Sequence, residues 1–333
     1  MPRVSVVIPT HNRLDRLRRV LAEFERQTYA LDDFEVIVVS DGSSDGTDEY
    51  LATAQTRLCF RYLTQPNQGV AAARNQGLKQ ATGELVLFVD DDVLPAPQLI
   101  AEHVRVHTEQ PDDIIVLGPM LTPDKIVMAP WVRWEQAMLA KQYRAMLAGK
   151  YQPSARQFYT GNTSLARAQL VAAGGFDEHF RRAEDVELAY RLAQRGLRFI
   201  FNPNAVGYHY AERSFRSWME IPYIYGRNDV IFTRDKHQHW LLPEVLKEFH
   251  DRNTLVKLLV WFCLDHDILS KNILAWHRAV SFLADRLGLE RLVQIAYSGM
   301  FNLRYYQGVA HEMGGRKRFF AQAAQAQVAQ AHV

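Results

Sequence analysis

Leu85-Val86-Leu87-Phe88-Val89 runs directly into Asp90-Asp91-Asp92. Such an unbroken apolar run suits a strand buried on both faces, as in a parallel sheet covered by helices. Val4-Ser5-Val6-Val7-Ile8, halted by Pro9, has the same character, and so does Val36-Ile37-Val38-Val39. Between them Leu14, Leu17, Leu21 and Phe24 recur at helical spacing and predict a helix over Leu14 to Gln27. Beyond lie a further helix, a strand near Phe60 to Leu63 and a helix from Val70 to Gln80. Strand and helix alternate, which predicts an α/β fold with a mainly parallel central sheet.

In open sheets of this kind ligands sit beyond the carboxyl ends of the strands. Three polar clusters follow strands directly: Pro9-Thr10-His11-Asn12-Arg13, then Asp41 in a turn-rich Asp41-Gly42-Ser43-Ser44-Asp45-Gly46, then Asp90 to Asp92. They are expected to share one edge of the sheet.

Further along, Ile126 to Tyr151 reads as an amphipathic, mildly basic helix carrying Trp131 and Trp134. Gly161-Asn162-Thr163-Ser164, a short helix from Ala168 and the turn Gly174-Gly175 follow. A helix from about Glu184 to Arg195 is ended by Gly196, and a strand around Phe199 to Phe201 leads past Pro203 to Tyr208-His209-Tyr210. Beyond residue 240 the pattern is helical, and Ala321 to Val333 is biased to Ala and Gln. The expected organisation is a catalytic domain over 1–235, a helical region over 236–320 and a tail over 321–333 without fixed order.

At 333 residues the chain can bury a large core, and its length predicts about two domains. The net charge of +2, from 39 Lys and Arg against 37 Asp and Glu, gives no reason to expect nucleic acid as a partner. Cys59 and Cys263 stand far apart, which predicts a reduced intracellular protein without a zinc site. Met1-Pro2-Arg3 leads straight into a strand, so a secretory leader is not expected. The longest apolar stretch, Leu255 to Leu264, is interrupted by Lys257 and falls short of the roughly 20 residues that cross a bilayer. The expectation is a cytoplasmic protein, free or resting on the inner membrane face.

Each candidate residue has two readings. Asp90 to Asp92 suit a hard cation shared with phosphate oxygens, and equally a solvated acidic turn before Pro95. Asp41 reads first as a turn-former, with a nucleobase acceptor as the alternative. Asn12 and Arg13 read as a helix cap. Glu184 and Asp185 suit a helix N-terminus, or a general base whose pKa the helix dipole would lower. His209 reads more readily as a packed histidine than as a metal ligand.

Taken together these segments resemble glycosyltransferase family 2. The resemblance is carried by Val4 to Arg13, Val38 to Thr47, Ala73-Arg74-Asn75-Gln76-Gly77, Phe88 to Asp92, Gly174-Gly175-Phe176-Asp177-Glu178 and Glu184-Asp185-Val186-Glu187-Leu188. It covers about residues 3 to 210, with order and spacing kept. It implies the Rossmann-like GT-A fold of nucleotide-diphospho-sugar transferases.

The resemblance also implies roles. Pro9, Thr10, Asn12, Arg13, Asp41, Arg74, Asp90 and Asp91 would hold the donor nucleotide. Asp92 with Asp90, and His209 as in some members, would bind Mn²⁺ or Mg²⁺, and an imidazole tilts the choice to Mn²⁺. Asp185 matches the base of inverting members, while Glu184, Asn162, Trp131 and Trp134 are acceptor-side candidates. The donor would be a nucleotide sugar, by family frequency a UDP-sugar, and the acceptor a glycan or a lipid-linked molecule. Trp276, Phe301, Arg304, Arg316, Lys317 and Arg318 could rest on an anionic membrane, or the helices that carry them could simply cover the catalytic domain. Two rival classes are a nucleotidyltransferase and a non-catalytic nucleotide-sugar-binding protein. Pro9 to Arg13 lacks the glycines of the first, and the second would have lost the acids that this chain retains.

Overall fold

A computed structural model describes residues 3–110, 113–124 and 126–331. The chain opens with β1 (Val4–Thr10), α1 (Leu14–Phe24), β2 (Phe34–Asp41), α2 (Thr47–Thr53), β3 (Cys59–Gln65), α3 (Val70–Gln80) and β4 (Leu85–Val89). Then come β5 (Val93–Pro95), α4 (Leu99–Glu109), β6 (Ile114–Leu117), β7 (Met120–Leu121), α5 (Pro130–Leu147) and β8 (Asn162–Ala166). They are followed by α6 (Arg167–Ala172), α7 (Glu184–Gln194), β9 (Arg198–Phe201) and β10 (Gly207–His209). Six helices complete the chain: α8 (Phe215–Asp235), α9 (Leu241–Asp251), α10 (Thr254–Cys263), α11 (Asp267–Arg286), α12 (Glu290–Glu312) and α13 (Arg316–Ala331).

Two compact units result. The first holds 1–127 and 136–211, and the second holds 128–135 and 212–333. The boundary near Ala211 gives α8 to the second unit, whereas the sequence suggested a division after residue 235. α13 runs through most of the stretch expected to lack order, since Ala and Gln are good helix formers. Residues 332 and 333 lie outside the described residues.

The first unit is built on a seven-stranded sheet in the order β3-β2-β1-β4-β8-β6-β9. β3, β2, β1 and β4 run parallel, β8 is antiparallel to both neighbours, and β9 is parallel to β6. The sheet is mainly parallel, as expected. Every residue of β1, β2 and β4 is buried, which is why their sequences are near-continuous apolar runs. β3, at the edge, is mostly open to solvent.

Strand order reverses around β1, with β2 on one side and β4 on the other. The carboxyl ends Thr10, Asp41 and Val89 therefore open on one crevice, the usual ligand position in such sheets. β1 continues through Pro9 rather than stopping there, past its last pairing with β4 at Val7↔Phe88. Helix α3 approaches β1 so closely that any Cβ at Gly77 would collide with the side chain of Val7. A smaller sheet, β5-β10-β7, pairs His209 with Val93 immediately after the acidic triplet.

The second unit is helical. α8 and α12 cross at Gly226 and Gly308, where a Cβ on either would strike the other helix's backbone. Trp134, Trp218 and Tyr297 form an aromatic core, with the rings of Trp218 edge-on to both others. Among the described residues no helix is long and apolar enough to cross a membrane.

Candidate active site

The loop after β1 is stitched to the loop after β2. Asn12, with φ 53° in the left-handed region, accepts from Ser44 N–H at 2.7 Å and donates its own N–H to Ser43 Oγ at 3.1 Å. Neither Asn12 nor Arg13 caps α1 with its side chain, contrary to expectation. The Leu14 N–H is met instead by Asp45 Oδ2 at 3.0 Å, and Asp45 Oδ1 also accepts from Thr47 N–H at the start of α2. One carboxylate thus serves two helix starts, across 31 residues of sequence. No local pattern announces such a partner.

Asp41 is buried and holds the loop before α3. Its Oδ1 accepts from Gln65 Nε2 at 2.7 Å and Gln68 N–H at 2.8 Å, and Oδ2 accepts from Gly69 N–H at 2.8 Å. The turn-forming reading of Asp41 describes this arrangement only in part, because the turn it organises is the distant one at 65–69.

Of the three aspartates after β4, Asp91 and Asp92 share Arg13 and Asp90 turns to Arg74. Asp91 is buried and accepts from Thr10 Oγ1 at 2.7 Å and Arg13 Nη1 at 2.8 Å. Burial pushes its carboxyl up to about 6, although Arg13 and Thr10 pull the other way. Pro9, Thr10 and Asp91 are therefore the floor of the crevice and carry Arg13 rather than face solvent. Asp92 Oδ2 accepts from the same Arg13 Nη1 at 2.7 Å, with Arg16 Nη1 at 3.6 Å. Asp92 Oδ1 lies 3.6 Å from His209 Nε2. Asp90 is the most open of the three and accepts from Arg74 Nη2 at 2.9 Å.

Mutual repulsion in the triplet is thus relieved by guanidinium groups. The triplet therefore does not need a cation to offset its charge. What remains is the Asp92–His209 pair. Their separation exceeds a hydrogen bond, and an ion with bonds of ~2.1 Å to each could lie between them. His209 Nδ1 faces the Gln136 amide at 3.4 Å, and that amide, turned so its oxygen faces the ring, would leave Nε2 unprotonated. Among the described residues no group of three or more His, Cys, Asp or Glu comes together to hold a metal. The donor set fits a hard cation that takes its other ligands from phosphate and water.

Arg74, on α3, is buried and bridges the triplet to α7. Its Nη1 donates to Glu184 Oε1 at 2.7 Å while Nη2 holds Asp90, and its Nε has no hydrogen-bond partner. Burial works against its charge, but Asp90, Glu184 and Asp185 keep it protonated. Glu184 is buried in this bridge, whereas Asp185 keeps part of its surface open. Burial, and then the charge of Glu184, raise the Asp185 carboxyl to about 7. The helix dipole was expected to lower it; desolvation among like charges wins. Ala183, just before α7, has φ 59°, a left-handed backbone that a non-glycine residue adopts at a cost of roughly 1–2 kcal/mol.

The remaining candidates lie elsewhere. Asn162 is fully buried: its Oδ1 meets His103 Nε2 at 2.9 Å and its Nδ2 donates to the carbonyls of Pro119 and Ala205. That amide is saturated by the protein, which removes it as an acceptor contact. Ser164 Oγ continues the network to His103 Nδ1 and His107 Nε2. Trp131 and Trp134 belong to the second unit, where Trp131 donates to the Arg213 carbonyl and Trp134 is core. Asp45, Arg16 and Gln136 were missed by sequence reasoning, because their partners are distant in the chain.

A mainly parallel sheet with acidic residues at its switch point is an α/β architecture that places polar groups at a ligand crevice, and comparison with known proteins gives the family. The family model for glycosyl transferase family 2 matches residues 5–171, and the chain belongs to that family. It is similar to validoxylamine A glucosyltransferase of Streptomyces hygroscopicus subsp. jinggangensis, with 36% identity over 59% of this chain and 53% of the relative. It is also similar to chondroitin synthase of Escherichia coli, with 28% identity over 62% of this chain and 34% of the relative. The chain spans about half the length of the first of these relatives.

Solved structures share the fold. Mannosyltransferase PcManGT from Pyrobaculum calidifontis, in complex with GDP-Man and Mn²⁺, has a TM-score of 0.59 at 22% identity, covering 91% of this chain and 86% of that one. Staphylococcus aureus TarS 1-349, in complex with UDP-GlcNAc, has a TM-score of 0.54 at 20% identity, covering 94% and 92%. The fold is GT-A, and the chain is a family 2 glycosyltransferase.

Proposed function

We propose that this enzyme is an inverting transferase that moves a sugar from a nucleotide diphosphate, UDP by preference, to a hydroxyl of a glycan or lipid-linked acceptor on the cytoplasmic side of a membrane. The observation that carries this reading is the Arg74 bridge between Asp90 and Glu184, which sets Asp185 beside the triplet. A carboxyl raised to about 7 is a well-matched general base near neutral pH.

In this mechanism Asp185 takes the proton from the acceptor hydroxyl as its oxygen attacks the anomeric carbon opposite the departing diphosphate. Arg74 holds Glu184 in place through its Nη1, so that Asp185 keeps its direction at the start of α7. Asp41 holds the 65–69 loop in shape against the nucleoside, and Arg13 and Arg16 supply positive charge near the triplet. Asp92 and His209 would hold Mn²⁺ or Mg²⁺, which when bound stabilises charge on the diphosphate leaving group. PcManGT was solved with Mn²⁺, and TarS with UDP-GlcNAc, which supports this class of donor and cation.

The test is turnover of a panel of nucleotide sugars with Mn²⁺ or with chelator, followed by anomeric analysis of the product. Release of nucleoside diphosphate from one donor, with inversion, is expected. Retained configuration, or the absence of both binding and turnover across the panel, would overturn the proposal.

A further inference from the structure

Apolar side chains are open to solvent along one stripe of the second unit. On α11, Leu269, Trp276 and Leu283 recur every seven residues and are 40%, 63% and 59% exposed. Ile268 and Phe282 flank them on the same side, at 80% and 56%. Residues at this spacing share one helix face. At the start of α11 the stripe meets Trp261 and Phe262 of α10 in an open groove of about 820 Å³, with Arg316, Asp265 and Asp267 on its wall. Soluble monomers rarely leave so long a run of large apolar groups uncovered.

Charge on this face is sorted by sign. The exposed charged residues of α11 beyond Asp267 are Lys271, Arg278 and Arg286, all cationic. Asp285 is partly buried and paired with Arg133. The acidic residues at the ends are accounted for otherwise: Asp265 accepts from Arg316 N–H, while Asp267 and Glu290 open α11 and α12, where the helix dipole favours them. Arg316 lies over the Trp261 ring at 4.9 Å, a cation at the rim of the apolar groove.

We propose that this α10–α11 face is a docking surface for an anionic lipid bilayer. An apolar stripe with Trp and Phe, flanked along α11 by Lys271, Arg278 and Arg286 and with Asp265 and Asp267 only at its amino-terminal end, is the pattern of a helix lying in the membrane interface. Pairing with a second copy through α11 would set cations against cations, which is unfavourable. The surface keeps Trp276 and Arg316 of the set suggested by sequence and loses two others. Phe301 packs on Trp134 and Trp218, and Arg304 donates to the Met219 carbonyl, so neither is available.

The experiment is flotation of the full chain with phosphatidylcholine vesicles, with and without phosphatidylglycerol, in the absence of donor and acceptor. Its outcome is therefore independent of the transfer chemistry. Binding to the anionic vesicles that weakens with salt is expected. Trp276→Ser with Leu283→Ser, at open positions that leave thermal unfolding unchanged, lowers that binding by about tenfold or more. Lys271→Glu with Arg286→Glu lowers it by a similar factor at low salt, and leaves residual binding to neutral vesicles untouched. No binding to anionic vesicles at low salt overturns the proposal, as does binding indifferent to both double variants. A dimer in light scattering that Trp276→Ser with Leu283→Ser converts to monomer, without vesicle binding, assigns the face to a second copy instead.

Discussion

The carboxylate of Asp92 and the imidazole of His209 face each other at 3.6 Å, brought together by the pairing of β10 with β5. The other Asp92 oxygen is engaged by Arg13. A cation held by this pair would act on the Oδ1 side of a carboxylate whose Oδ2 already accepts from Arg13. Calorimetry with UDP is expected to show affinity at least about tenfold higher with Mn²⁺ than with EDTA, a difference lost in Asp92→Asn and reduced in His209→Ala. Equal affinities under both conditions would leave Arg13 and Arg16 as the sole positive charge for the diphosphate.

Replacing Asp185 by Asn keeps shape and capping while removing basicity. Transfer to a true acceptor is expected to fall by roughly 10²–10⁴-fold with UDP affinity unchanged. Wild-type kcat/KM should fall on the acid side of neutrality, since a base with its pKa raised to about 7 is protonated there. Near-normal turnover by Asp185→Asn would reduce Asp185 to a helix-start residue.

The same substitution alters stability against pH. Asp185 and Asp91 have folded pKa values raised to about 7 and about 6, so they contribute stability below their unfolded values, lost as pH rises through the folded ones. His103 and His107 have folded values lowered to about 4 by burial, so they lose stability as pH falls from about 6.5. Between pH 7 and 5 the two pairs oppose each other. Urea titrations are expected to show a shallow wild-type profile. Asp185→Asn should be more stable than wild type near pH 8 and lose stability more steeply on acidification. A variant profile parallel to wild type would show that Asp185 does not carry the raised pKa.

Gly77→Ala tests the contact of α3 with β1. The added methyl meets Val7 in the core, and overpacking of this kind costs about 1–3 kcal/mol. Val7→Ala in the same chain should recover part of the loss, measured as a double-mutant cycle. Additive losses would mean that the helix moves away rather than pressing on Val7.

The parallel half of the sheet was legible because burial on both faces leaves a simple record, the apolar runs of β1, β2 and β4. The site edge was legible for a related reason: each run ends in polar residues at the same end. Partnerships across the crevice left no such record. Asp45 is one more acid in a turn until folding brings it to Leu14, and Asn162 looks like an exposed loop residue until β8 is inserted between β4 and β6. The pKa of Asp185 was misjudged because the sequence displays a helix start, which is local, and hides the burial that raises the carboxyl against the pull of Arg74. Trp131 and Trp134 show the converse, aromatic residues whose partners in the second unit could not be inferred from spacing.

The bonds from Asp41 to the 65–69 loop, and those of Asn12 and Asp45 across the first two loops, have a thermodynamic consequence. The rim of the crevice is held by hydrogen bonds between the protein's own groups. An arriving nucleotide meets a preorganised surface, and little loop freedom remains to be lost on binding. The heat-capacity change of UDP binding should then reflect only the apolar surface the nucleotide itself covers, with no added signature of coupled folding.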